Sequence, residues 1–182
     1  MKFVQPIRDI DKIEEIKFIL KKQSYRNYFL FIMGINTGLR ISDMLPLKVK
    51  DVKDKTHIVL TEKKTGKMRR FKINHYLLDE IEKYIWKMND EDYLFPSRNN
   101  KGKEHLKRIM AYNIMNNVAK EVGLDEIGCH TMRKTFGYHF YNKTKDVAIL
   151  QRLFNHSSPS VTLRYIGISQ DRLDDAILDF HL

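Results

Sequence analysis

The stretch SYRNYFLFIMGINTGLR, residues 24–40, decides how the rest of the chain is read. Ser24 suits the cap of a helix over residues 25–37. That helix is apolar nearly all round, which predicts a central, buried position. Gly38 suits a left-handed helix end. Arg40 therefore stands just beyond a buried helix, where its planar fork could be held against a phosphate. Taken alone, an arginine there is more often a surface residue or an ion-pair partner, with Asp43 at hand.

Working outward, Asp9 or Asp11 suits the cap of a helix running to about Gln23, with Ile13, Ile16, Ile19 and Leu20 on one face. Residues 41–45 read as one helical turn ended by Pro46. A short strand is expected near residues 49–52, and two more over 57–61 and 68–73. The turn between the latter pair, 63–67, gives Gly66 a position at positive φ. Leu77, Leu78, Ile81, Ile85 and Trp86 give 75–88 a helical period, and 89–103 reads as a loop. Helices are expected over about 104–122, 130–143, 145–154, 158–165 and 170–180. There is no internal repeat or low-complexity linker. The expected fold is one domain, mainly α with a small antiparallel β-sheet (α+β).

The chain has 182 residues and a formal net charge of +10. That balance points to a polyanion, most simply nucleic acid. The charge lies in patches. Between Lys48 and Lys72 ten Lys or Arg face three acids, and between Ser97 and Arg108 five face Glu104. From Ile166 onward Arg172 faces four aspartates, so this tail is not expected on DNA. The single Cys129 allows no disulfide within the chain, which fits a reducing cytoplasm. No signal-peptide stretch opens the sequence, and the longest apolar run, residues 28–35, falls far short of the roughly 20 residues a membrane span needs. No metal-ligand spacing and no glycine-rich nucleotide loop is present, and acidic residues do not gather near the motifs described next.

Those motifs are His130-Thr131-Met132-Arg133, and His156 followed nine residues later by Tyr165. With Arg40 they supply two arginines, two histidines and a tyrosine. That set suits attack on a phosphodiester: a tyrosine nucleophile, arginines on phosphate oxygens, histidines moving protons or holding an oxygen. Each part also has an ordinary reading. His130 and Arg133 at i, i+3 are commonly a structural pair. Tyr165 could be a plain core or surface aromatic, and with a resting pKa near 10 it needs help from neighbouring cations or a base. Lys64, at the tip or shoulder of a basic hairpin, is either a solvated turn lysine or a mobile acid that reaches a leaving oxygen. Lys63 and Lys67 are its neighbours in that turn.

At this point the chain resembles the catalytic domain of the tyrosine recombinases, also called the phage integrase family. Residues 37–45 (TGLRISDML) resemble the first-arginine box and Lys64-Thr65-Gly66-Lys67 the β-hairpin lysine segment. Residues 130–136 (HTMRKTF) resemble the His-x-x-Arg box. Residues 153–158 (LFNHSS) and 162–165 (TLRY) resemble the second-histidine and nucleophile boxes. The likeness runs in order from about residue 10 to 170. It implies that Tyr165 attacks a DNA phosphate to give a 3′-phosphotyrosine and a free 5′-hydroxyl. Arg40 and Arg133 would bind the non-bridging oxygens, Lys64 would protonate the 5′-oxygen, His130 would assist proton transfer, His156 would hydrogen-bond the phosphate, and Asp43 would support the site. No cofactor, metal or ATP is implied, because the phosphotyrosine conserves the bond energy. Further DNA contacts are expected from the basic patches: Lys63, Lys67, Arg69, Arg70, Arg98, Lys101, Lys103 and Lys107.

The departures are Lys134, where the family often has histidine, and Asn155, where it often has glycine. The chain is read as a single catalytic domain over residues 1–182, without the N-terminal core-binding domain of most relatives. Either that domain was removed, or this is a naturally short member similar to the fimbrial phase-switch invertases. The implied partners are double-stranded DNA and three further copies in a tetramer on it, with accessory DNA-bending or directionality proteins and no membrane. The implied setting is the cytoplasm of a bacterium, at the nucleoid, with the gene carried by the host, a phage or a mobile element. Residues 166–182 either pack on a neighbouring protomer through Leu173, Ile177, Leu178 and Phe180 or fold back on their own core. Rival readings are a type IB topoisomerase, a DNA-binding regulator that does not cut, and a basic RNA-binding protein.

Overall fold

Asp9 opens the first helix of the computed structural model by accepting a hydrogen bond from the Asp11 backbone N–H, and α1 runs Ile10–Gln23. The structure describes residues 4–98, 102–125, 127–128, 130–178 and 180. The DNA contact expected at Lys101 and the single Cys129 lie outside these. Ile13, Ile16 and Leu20 of α1 are buried against α2, Tyr25–Thr37. Nine of the thirteen α2 residues are buried, as an all-round apolar helix requires. Each fully buried Phe or Leu there contributes roughly 1.5–3 kcal/mol of transfer free energy. α2 ends at Gly38, whose φ of 63° is left-handed.

Beyond α3, Ile41–Met44, the chain makes a 3-10 turn at Val49–Asp51 where a strand was expected. The Asp51 carboxylate accepts from the Lys48 N–H at 2.8 Å and closes the turn; Lys48 bridges Tyr93, and the Val49 and Lys50 N–H groups donate to the carbonyls of Asp92 and Asp90 at 3.0 Å, without a strand ladder. The sheet is therefore two-stranded: β1, His57–Thr61, antiparallel to β2, Met68–Lys72, with Thr61 opposite Met68. Gly66 in the turn has φ of 65°. Asn74 caps α4, His75–Ile85, through the Leu77 N–H. α5, Arg108–Glu121, starts later than expected because the preceding residues bridge back: Leu106 N–H to the Phe95 carbonyl, Ser97 N–H to that of Glu104.

α6, Thr131–Thr144, crosses α2 closely. A Cβ on Gly34 would lie 2.6 Å from the Met132 sulfur, and one on Gly38 would collide with the Phe136 ring. α7, Val147–Phe154, is capped by Asp146, and α8, Pro159–Tyr165, by Ser158 with proline in its first turn. Asn155 ends α7 at φ 54°, a left-handed position that asparagine tolerates better than most side chains. That accounts for asparagine at the position where the resemblance leads glycine to be expected. Met132 belongs to the main core, whereas Tyr141, Leu150, Phe154, Ile166 and Ile168 form a second, smaller cluster.

The last helix, α9, Ile168–Leu178, buries only Ile168. Arg8 ties its first turn down through Asp171 at 2.6 Å. Leu173, Ile177, Leu178 and Phe180 are 59–82% exposed, so these four side chains do not fold back on the chain's own core, although Ile166 and Ile168 before them are buried in it. Among the described residues no helix is long and apolar enough to cross a membrane.

Candidate active site

Arg133 is the hub. It leaves the first turn of α6 and is 3% exposed. Its Nη1 donates to the Gly38 carbonyl, at the end of α2, and its Nη2 to the Phe154 carbonyl, at the end of α7, at 3.1 Å. The guanidinium also lies 4.1 Å over the Phe154 ring. One planar fork thus pins three elements, which a point charge could not do. Burial drags its pKa down to about 10, still cationic at neutral pH.

Tyr165, on the last residue of α8, meets this hub. Its Oη lies 3.3 Å from His130 Nδ1. Its ring stands edge-on to Phe154 at 5.7 Å and to His156 at 5.0 Å, and the Lys134 ammonium lies 5.1 Å from its centroid. Burial raises the phenol's pKa, although the charges of Arg133 and Arg40 pull the other way. The free protein therefore holds a neutral phenol beside a histidine. His130 immediately precedes α6. Desolvation lowers its pKa, and Arg108, Arg133, Lys134 and Arg40 push the same way, so its neutral ring is available as an acceptor.

His156 sits past the end of α7, its Nδ1 3.1 Å from Thr162 Oγ1 and its carbonyl bonded by Gln151 Nε2. Burial, with the charges of Arg133, Arg40 and Lys64 acting in the same sense, holds its pKa at about 4. A histidine depressed in this way favours the fold while neutral. Its contribution is full above the unfolded value of about 6.5 and is lost as pH falls from there toward the folded value. Site-resolved NMR should find the His156 ring neutral at pH 6; a midpoint at the ordinary value would mean the ring is not buried beside the cations as described.

Arg40 extends from between α2 and α3 and is ion-paired to Glu62, with Asp43 Oδ2 at 3.9 Å. Both carboxylates are buried. The expectation that acidic residues stay away from the motifs is thus overturned: Glu62 lies 22 positions along the chain, and hairpin closure brings it in. Burial alone would raise Glu62's pKa, but Thr65 and Arg40 bond its charged form and leave it below the usual range.

Arg40, His130, Arg133, His156 and Tyr165 are therefore drawn together, with Asp43 behind Arg40. Lys64 lies on the exposed hairpin turn, makes no hydrogen bond or ion pair among the described residues, and is near enough for its charge to act on His156. Lys63 and Lys67 are exposed on the same turn, the Lys63 N–H bonding Asp43 at 3.0 Å. Arg98, Lys103 and Lys107 are exposed on the approach to α5. Arg70 faces out beside His57 Nδ1 at 3.0 Å. Arg69, on the other strand face, gives Nη2 to the carbonyls of Arg152 and Leu153 at 2.6 and 3.1 Å, so it latches the hairpin to the end of α7. Glu62 and Thr162 are site neighbours that the sequence did not single out, and Lys134, read there only as a departure from the family pattern, lies over the Tyr165 ring. Their signal is long-range contact rather than local pattern.

The Phage integrase family model matches residues 8–172. The chain is 54% identical over 171 residues to the probable integrase/recombinase YoeC of Bacillus subtilis, covering 94% of this chain and 93% of that one. It is 27% identical to the tyrosine recombinase XerA of Pyrococcus furiosus over 92% of this chain, but spans only 59% of that protein. Among solved structures, XerA recombinase superposes with a TM-score of 0.73 at 20% identity, over 98% of this chain and 65% of that one. XerH, solved on a palindromic difH substrate in a post-cleavage complex, gives 0.71 at 21% identity, over 97% and 53%. With a matching model over most of its length and a relative more than half identical, the chain belongs to the phage integrase family and carries the tyrosine recombinase catalytic fold.

Proposed function

We propose that this protein cleaves and rejoins DNA at specific sites through a 3′-phosphotyrosine, and that Tyr165 is the nucleophile. The observation that carries the reading is the convergence of His130, Arg133, His156 and Arg40 on one tyrosine, its Oη 3.3 Å from His130 Nδ1. Tyr165 Oη attacks the phosphorus, and its proton passes to neutral His130. The P–O5′ bond breaks, and Lys64 Nζ gives a proton to the departing 5′-oxygen. Arg40 and Arg133 bind the two non-bridging oxygens, and His156 shares one of them through its Nε2, its Nδ1 being occupied by Thr162. An incoming 5′-hydroxyl reverses the steps and releases the tyrosine. The phosphate anion also offsets the cations that depress His156.

Lys63, Lys67, Arg70, Arg98, Lys103 and Lys107 supply backbone contacts, together with Lys101, while Arg69 serves as the latch described above. Residues 1–182 act as one catalytic domain, four copies assembling on duplex DNA with accessory proteins in a bacterial cytoplasm, at the nucleoid. The exposed Leu173, Ile177, Leu178 and Phe180 support packing of α9 on a neighbouring protomer, since nothing of the described chain covers them. Solved relatives held on DNA support the same partner class.

The binding half of this reading is tested by salt titration on duplex DNA flanking the gene. Log affinity should fall against log salt with a slope of about −0.9 for each phosphate neutralised, on the order of a 10³-fold loss between about 50 and 200 mM. A flat response would remove the basic patches from the interface.

A further inference from the structure

The turn that carries Lys64 is fastened to the Arg40 corner by two buried carboxylates. Glu62 is 1% exposed. One of its oxygens accepts from Arg40 Nη1 and the other from Thr65 Oγ1, at 2.7 Å. Its backbone closes the same turn, the carbonyl accepting from Gly66 N–H at 2.8 Å and the N–H donating to Lys67 at 3.0 Å. Asp43 adds a second tie through the Lys63 N–H. A negative charge beside two phosphate-binding arginines opposes anion binding, and a buried carboxylate is costly unless its partners repay the desolvation. Glu62 has such partners on both sides of the site. On one side is a phosphate clamp, on the other the residue next to the proton donor.

We infer that Glu62 is a positioning residue that holds the Arg40 guanidinium and the Lys64-bearing turn as one unit, so that clamp and proton donor meet the same phosphate in register. This rests on the recombinase reading above. Thr65 is its contact on the lysine side and Arg40 on the phosphate side. Among the described residues Lys64 makes no hydrogen bond or ion pair, so its reach is set by the turn that Glu62 anchors.

The test compares two strand substrates of one sequence, with oxygen or sulfur at the 5′-bridging position of the cleaved phosphate. Breaking P–O5′ needs the Lys64 proton; breaking P–S5′ releases a thiolate that needs none. Thr65→Val removes one hydroxyl, keeps the side-chain shape and leaves the Glu62–Arg40 pair. It should slow cleavage of the oxygen substrate by up to about 10²-fold and leave the sulfur substrate at the parent rate. Glu62→Gln weakens both ties and should slow both substrates, the oxygen one more.

Equal slowing of both substrates by Thr65→Val, or parent rates for both variants, would overturn the inference. Thermal midpoints accompany each variant; if Glu62→Gln fails to fold, Thr65→Val alone decides. A parent protein that binds DNA but forms no adduct with either substrate would remove the recombinase reading and this inference with it. A parent that cleaves beside variants that match it would remove only the inference.

Discussion

Tyr165→Phe abolishes covalent attachment to DNA and leaves duplex affinity unchanged. The ring is kept, and with it the edge contacts to Phe154 and His156 and the Lys134 ammonium over its face. What is lost is one hydroxyl and its 3.3 Å contact to His130, an interaction worth about 0.5–1.5 kcal/mol in an intact fold. Stability should therefore change little, while the reaction loses its only proposed nucleophile. Denaturing gels on nicked duplexes, without metal or ATP, measure the adduct; gel shifts measure binding. Adduct at the parent yield would withdraw Tyr165 from the mechanism.

Arg133→Lys costs both rate and stability. The guanidinium fork serves the carbonyls of Gly38 and Phe154 at once. A single ammonium in that dry position cannot span both, and a buried carbonyl left without a donor costs about 1–3 kcal/mol. The fork also stacks on Phe154 and its charge favours the Tyr165 phenolate, so the change loosens the frame around the nucleophile. Losing one preorganised donor to the developing phosphate charge typically costs about 10²–10³ in rate. Adduct formation in single turnover should fall by that order, with a lower thermal midpoint. A lower midpoint with parent cleavage rates would make Arg133 a structural pin only.

The elements that the sequence announces are those whose signals are local. Asp9 accepts a bond at the start of α1 as its position suggests, and Gly38 and Gly66 take the positive φ their turns need, whereas Ser24, equally suited to a cap, precedes α2 without a side-chain bond to its first turn. The all-apolar α2 lies where such a helix must lie, at the centre. The boxes bearing Arg40, His130, Arg133, His156 and Tyr165 were legible through resemblance, and the fold draws them into one cluster.

What escaped the sequence depends on contacts between distant residues. The expected strand at 49–52 became a 3-10 turn because Asp51 bonds the backbone of Lys48 locally, while the sheet stops at two strands. Arg69 looked like one more phosphate-facing cation, yet it bonds carbonyls more than 80 positions away. Glu62 carried no motif at all; its place beside Arg40 follows from the hairpin folding over the end of α2. The apolar face of α9 was readable as a pattern, but only its exposure decides against folding back.

The most direct measurement is the chemical identity of the protein–DNA link. Adduct trapped on a nicked substrate is digested with nuclease and protease, and the nucleotide-bearing peptide is sequenced by mass spectrometry. The account predicts a nucleotide joined through its 3′-phosphate to Tyr165, with a free 5′-hydroxyl on the released strand. A link to any other residue, or one through a 5′-phosphate, would contradict it.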